Sequence, residues 1–369
     1  MITAVFTRTD CLRKRISTFA AIALGSFVAF ATAGVDARAE LPESATARRE
    51  KIRVLTYKAP DRIDIAVRVF EGKFGVDVEL VHETDLSPAT LAQAQGSAPF
   101  DFLLAHDTTL LERARLAGLT TPIASPDVLS SVRGQLLGPD GHWISTSMRA
   151  RAFMVAKDRV AEPPRTYEDL AHPRWRGKVC MRSGAHPYNL ALVGALIAHT
   201  GEMGAEDWLR GVKANLARKP TGGDRDQLRA VVDGVCDIAL ANTYYLSAPH
   251  TAQRVEEERA FAAKLAVILP TVPARDATHV NTSGIAILAN SPSRRLANLF
   301  VTFLIDVETQ ALMSTVYGEY PVTPDDNMPA LHRFGQLKPD PMSISRLTEH
   351  ADQALALVQR VEFDAGPSH

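Results

Sequence analysis

Three phenols stand where a chain of alternating strands and helices would open a site. The stretch Gly234–Leu246 (GVCDIALANTYYL) reads as a buried strand, Val235 to Ala241, stopping at the polar pair Asn242 and Thr243. Tyr244 and Tyr245 follow at once. A second predicted strand, Gly177 to Arg182, leads into the loop Ser183 to Asn189, which carries Tyr188. Ligands of open α/β sheets bind beyond the carboxyl ends of the strands, so all three tyrosines are placed to meet one. A phenol of ordinary pKa, about 10, is a poor general base at neutral pH. Next to a trivalent cation the ionised form is favoured, and phenolate is a hard anionic oxygen donor suited to a hard cation such as ferric iron. Taken alone, the Tyr244–Tyr245 pair is equally at home capping a sheet, rings buried and hydroxyls wet.

Arg149 and Arg151 lie on a long predicted strand, Ile144 to Ala156 (ISTSMRARAFMVA), which is long enough to carry the chain from one lobe to another. A guanidinium there can hold an anion through two parallel hydrogen bonds; either arginine alone serves equally well in an ordinary ion pair. The chain contains no G-x-G-x-x-G, P-loop, H-E-x-x-H, G-x-S-x-G or C-x-x-C pattern. These absences count against a dinucleotide enzyme, an NTPase, a zincin and an α/β-hydrolase, and no nucleophile–base pairing is legible. The expectation is a binding protein rather than an enzyme.

The elements that must position these groups follow in order. Ile52 to Thr56, Phe74 to Val81 and Phe100 to Leu104 read as strands, separated by helices carrying Ile65, Val69 and Phe70, then Leu110, Leu111 and Ala114. That alternation implies parallel βαβ units. Thr166 is a candidate helix N-cap. Leu190 to Thr200 reads as a helix closed by Gly201, and a further helix holds Trp208, Leu209 and Val212. Val267 to Pro270 and Ser283 to Leu288 are the last expected strands; Leu296 to Ile305, Thr309 to Val316 and an amphipathic tail, Ile344 to Val361, are helical.

The front of the chain has its own pattern. Arg8, Arg13, Lys14 and Arg15 precede an apolar run from Ile16 to Val35, and Ala37-Arg38-Ala39 supplies small residues for cleavage before Glu40. This is the pattern of a secretory signal peptide over residues 1–39; an uncleaved anchor is the competing reading, since about 20 apolar residues can span a bilayer. Without residues 1–39, which hold five basic and two acidic residues, 36 basic residues face 40 acidic ones, a formal charge of −4. Neither a basic excess nor a Lys/Arg-rich run is present, so nucleic acid is not an expected partner. Cys180 and Cys236 remain, each near a predicted strand. In an oxidising compartment an even count allows a disulfide, and two buried free thiols are the alternative.

Several segments then occur in one fixed order: Asp140-Gly-His-Trp143, Arg149-Ala-Arg151, Tyr167-Glu-Asp-Leu170, Trp175-Arg-Gly-Lys178 and Arg218-Lys-Pro-Thr-Gly-Gly-Asp-Arg-Asp-Gln227. Gly234-Val-Cys-Asp-Ile238, Asn242-Thr-Tyr-Tyr-Leu246 and Glu319-Tyr-Pro-Val322 complete the series. Together they resemble the periplasmic ferric-iron-binding proteins of ABC importers, within the extracellular solute-binding protein family. The resemblance implies an α/β, two-lobed periplasmic-binding-protein fold (type II-like) with crossover hinge strands. It divides the chain into residues 50–147 with part of about 270–320 for the first lobe, and 148–268 with 321–369 for the second. It also implies Fe³⁺ held by Tyr188, Tyr244 and Tyr245, with a synergistic anion such as carbonate on an arginine, Arg149 first and Arg151 beside it. An inner-membrane ABC permease as partner, a periplasmic location and a monomer complete what it implies.

One departure stands out. Many members carry a His-Tyr ligand pair after the first strand, where this chain has Ala59 and Pro60, neither able to coordinate a metal. Tyr57 and His106 are the remaining first-lobe candidates. The alternatives are a three-phenolate half-site completed by anion or water, or a related ligand: chelated iron or a small metal-free organic solute.

Overall fold

In the computed structural model the strand expected over Ile144 to Ala156 is the axis of the molecule. The structure describes residues 49–84, 86–94, 99–246, 255–272, 275–323 and 334–367. The predicted signal peptide lies outside the described residues. The strands are β1 (Lys51–Thr56), β2 (Asp77–His82), β3 (Phe102–Ala105), β4 (Thr120–Thr121), β5 (Ile144–Ala156), β6 (Val179–Cys180), β7 (Ile238–Asn242), β8 (Leu265–Ile268) and β9 (Val280–Leu288). The helices are α1 (Asp64–Phe74), α2 (Pro88–Ala94), α3 (Thr108–Leu116), α4 (Pro126–Ser131), α5 (Pro187–Asn215), α6 (Asp224–Val232) and α7 (Val255–Ala263). They continue with α8 (Arg294–Ile305), α9 (Val307–Tyr317), α10 (Ile344–Glu349) and α11 (Ala351–Arg360).

The sheet runs in the order β2-β1-β3-β9-β5-β7-β6, with β4 on β9 and β8 on β5. β1 pairs in parallel with both β2 and β3, as the βαβ alternation requires. β9 then enters antiparallel between β3 and β5. β5 changes partner along its length: Ile144 to Ala150 pair with β9, and Arg151 to Val155 pair with β7. Every residue of β5 and of β9 is buried, so both faces are covered and the polar–apolar alternation of a half-exposed strand is lost. β5 and β9 are thus the crossover strands of a two-lobed α/β fold.

Each lobe has its own aromatic packing. In the first, Phe70 of α1 lies 4.9 Å from Phe300 and 5.3 Å from Phe303 of α8, and Phe102 of β3 lies 5.3 Å from Phe300. Burying one such ring contributes about 1.5–3 kcal/mol. α1 ends because Gly75 adopts φ 65°, a left-handed cap that glycine takes without strain. In the second lobe Trp208 Nε1 donates to Tyr167 O at 2.6 Å, and the Tyr167 hydroxyl donates to Arg151 O at 2.6 Å.

Five local expectations change. The helix after β6 begins at Pro187 rather than Leu190, because proline suits the first helical position and His186 Nδ1 accepts from Tyr188 N at 3.2 Å; Tyr188 therefore sits in the first turn of α5. Gly201, at φ 75°, kinks α5 where a full stop was expected. β7 starts at Ile238, not Val235, since Gly234 turns the chain at φ 77° and leaves Val235 exposed. The tail helix breaks at His350 into α10 and α11. Thr166 stands one residue before the N-cap, which is Tyr167, of one short 3-10 turn rather than a helix, although its Oγ1 accepts from Asp169 N at 3.1 Å.

Cys180 and Cys236 are disulfide-bonded, with Cα atoms 6.0 Å apart. The bond joins the end of β6 to the chain just before β7, and these neighbours pair in parallel. Tyr188 and Tyr244 each lie eight residues beyond their cysteine, so the staple sits at the root of both tyrosine-bearing segments. Closing a loop of this size stabilises the fold by about 4 kcal/mol in the chain-entropy model. Reduction, or paired Cys180→Ala and Cys236→Ala, is expected to lower the unfolding free energy by about that much in urea titrations.

Candidate metal centre

Tyr188 is carried by the first turn of α5, and Tyr244 and Tyr245 by the single 3-10 turn Thr243–Leu246 that leaves β7. The structure brings all three together. Tyr188 and Tyr244 line one cavity, and Tyr245, which does not line it, stacks on Tyr244 with ring centroids 4.2 Å apart. Tyr188 and Tyr244 are more than nine-tenths buried, and Tyr245 is half-buried. Among the described residues no group of three or more His, Cys, Asp or Glu gathers to hold a metal, so the phenols are the candidate donor set.

Tyr188 and Tyr244 open onto a cavity of about 230 Å³. Arg149 and Glu319 form one wall, and Tyr57, Lys58, Ala59, Arg62, His82 and His106 line the first-lobe side. Burial pushes the phenols of Tyr188 and Tyr244 up, Tyr244 well above the ordinary range, while Arg149 pulls both back. The guanidinium carbons of Arg149 and Arg182 each lie 5.5 Å from the Tyr188 ring centroid, and that of Arg62 lies 4.6 Å from Tyr244. Such cations favour phenolate once a metal displaces the proton.

Arg149 is buried and firmly held. It donates from Nη2 to His106 O at 2.5 Å and from Nη1 to Ser283 Oγ, and Glu319 Oε1 lies 4.0 Å from Nη1. Burial would lower its pKa, but Tyr188, once ionised, and the Glu319 carboxylate raise it. Arg151 takes a different part from the one expected. It does not line the cavity, because its guanidinium is wholly buried against Asp224 and Asn189.

His106 reaches the cavity as well. Its Nδ1 lies 2.8 Å from Tyr57 O. A carbonyl only accepts, so Nδ1 carries the proton and Nε2 presents its lone pair. Burial lowers its pKa, which keeps the ring neutral. Tyr57 stacks on His106 at 4.4 Å and forms cavity wall. Ala59 contributes wall without a donor.

Sequence reading missed Lys58, Arg62 and Glu319. Glu319 sits inside the quoted Glu319–Val322 segment, and Lys58 and Arg62 immediately follow β1; the missing signal was which way they face. Lys58 Nζ pairs with Glu319 Oε2 at 2.9 Å, each side chain 3% exposed, and Ser147 Oγ also donates to Glu319. Burial would raise the Glu319 carboxyl, but Lys58 and Arg149 bring it down to about 2. Burial lowers Lys58, and Glu319 offsets that. Because Glu319 is depressed on folding, its contribution is fully present above the unfolded value of about 4.3 and is lost as pH falls toward about 2. Glu319→Gln strands the Lys58 charge, and a loss of about 3–5 kcal/mol in unfolding free energy at pH 7 is expected from a urea titration.

Comparison with known proteins places this geometry. The chain is 33% identical over 328 residues to Iron uptake protein A2 of Synechocystis sp., covering 88% of this chain and 93% of that one. Its fold superposes on the Bordetella ferric binding protein with TM-score 0.77 and 36% identity, covering 85% of this chain and 100% of the other. The Trichodesmium protein solved in complex with iron and citrate ligands gives TM-score 0.76 at 32% identity, over 85% and 99%. Residues 97–337 match the family model described as bacterial extracellular solute-binding protein, and the chain belongs to that family.

Proposed function

We propose that this protein captures ferric iron with the phenolates of Tyr188, Tyr244 and Tyr245 and delivers it to an inner-membrane ABC permease. The observation that carries the reading is the convergence of Tyr188 and Tyr244, buried phenols from two strand ends, on one cation-lined cavity, with Tyr245 stacked on Tyr244 beside it. Three phenolates neutralise Fe³⁺, and Lys58 matches Glu319. The charges of Arg149 and Arg62 then favour an anion, carbonate or a carboxylate chelator, as a further ligand. His106 Nε2 is the first-lobe donor in this reading, and Tyr57 orients it. Iron bridging the lobes favours the closed state through contacts made only there. The names of the relatives support iron as the cargo. The protein acts as a monomeric periplasmic receptor rather than an enzyme, its signal peptide (residues 1–39) removed, with lobes divided at 147/148.

Ferric iron added as its citrate complex is expected to produce a phenolate-to-iron charge-transfer band in the visible. A colourless protein without bound iron by elemental analysis overturns the reading. A second cavity, of about 270 Å³, shares the Tyr57 wall and is lined by Leu110, Leu190, Leu347 and Thr282. It favours a variant reading in which iron arrives still chelated, and equilibrium dialysis with labelled chelator distinguishes the two.

A further inference from the structure

Both crossover strands reach the tyrosine-bearing segments through side chains. Arg151, in the second half of β5, forms an ion pair with Asp224 and donates from Nη2 to Asn189 Oδ1 at 2.7 Å. Asn189 directly follows Tyr188. Asp224, the first residue of α6, also accepts through Oδ2 from Asn242 N at 3.1 Å. Asn242 ends β7, two residues before Tyr244. From β9, Asn281 Nδ2 donates to Asn242 Oδ1 at 3.1 Å. Arg182, whose guanidinium faces the Tyr188 ring, lies 3.5 Å from Asp224 Oδ1. Arg151, Asp224, Asn189 and Asn242 are each no more than 1% exposed.

A buried ion pair is a poor way to gain stability, since apolar residues of equal volume commonly do as well or better. Directional bonds do what apolar packing cannot: they fix the orientation of the groups they join. We propose that Arg151 and Asp224 are positioning residues for the metal centre, setting the start of α5 and the end of β7 so that Tyr188 and the Tyr244–Tyr245 pair meet at one point. The inference rests on the iron reading above. The bonds to Asn189 and Asn242 tie the ligand segments to β5 and β9, so ligand geometry follows the crossover strands. Outer partners of metal ligands typically change affinity by about 10–100-fold.

The test compares Asp224→Asn, Asn189→Ala and a control, Asp340→Asn, which breaks the buried His199–Asp340 pair (2.7 Å) away from the tyrosines. Iron affinity by citrate competition, the energy of the charge-transfer band and the thermal midpoint of the iron-free protein are read for each. Asp224→Asn and Asn189→Ala are expected to weaken iron binding about tenfold or more and to shift the band. Asp340→Asn is expected to lower the midpoint and leave both iron readouts at the wild-type values. If Asp224→Asn does not fold, Asn189→Ala, which keeps the ion pair, carries the test. Wild-type affinity and band in the variants, with only the midpoint lowered, overturn the positioning role alone. A colourless wild type overturns the iron reading and this role together.

Discussion

Tyr188→Phe, Tyr244→Phe and Tyr245→Phe are each expected to lower the affinity for ferric iron by more than about 100-fold, beyond what loss of an outer partner costs. Each removes one anionic donor and leaves the ring. The stacked Tyr244–Tyr245 pair and the Tyr188 ring beneath Arg149 and Arg182 keep their packing, so the iron-free variants are expected to unfold within about 1 kcal/mol of wild type. Citrate competition followed in the visible band measures the first effect, and urea titration the second. An affinity loss in proportion to a stability loss would instead assign the tyrosines to the sheet.

The second large effect is on pH. Burial raises the phenols of Tyr188 and Tyr244, so without metal both carry protons throughout the neutral range. Each phenol that ligates iron must release its proton, and each released proton makes affinity rise tenfold per pH unit. With three phenolates the rise is up to about a thousandfold per unit, and the same steepness is lost on acidification. His106 adds nothing to this slope near neutrality, since burial already keeps it unprotonated. Competition against a chelator of known protonation between pH 6 and 8 measures the slope. Tyr188→Phe is expected to reduce it by about one logarithmic unit per pH unit. A wild-type slope near zero would rule out phenolate ligation.

Much of this arrangement was legible before any coordinates. A long stretch free of glycine and proline such as Ile144–Ala156 reads as a strand, and tyrosines directly after strands point to a site at the sheet's carboxyl edge. The hidden parts depend on which segments meet. Lys58 and Glu319 are far apart in the chain, and neither carries a local sign that it is buried. Arg151 and Arg149 share one strand face and look alike in the sequence. What separates their roles is Asp224, delivered by a helix whose docking no local pattern reveals. Cys180 and Cys236 could be counted, but their pairing depended on β6 and β7 lying side by side. Tyr188 was found, yet its helix began three residues sooner than the apolar pattern suggested, because Pro187 and His186 set the start.

The position of β9 also governs when the chain can fold. β3 ends at Ala105, yet its outer neighbour β9 begins only at Val280, and β9 must slot between β3 and β5 before the first-lobe sheet is complete. Contacts so distant in sequence form slowly, because loop closure costs entropy before pairing rewards it. A nascent chain therefore remains without its full first lobe until about three-quarters of it has been made. In the proposed export reading, that delay keeps the chain open for passage through a narrow channel.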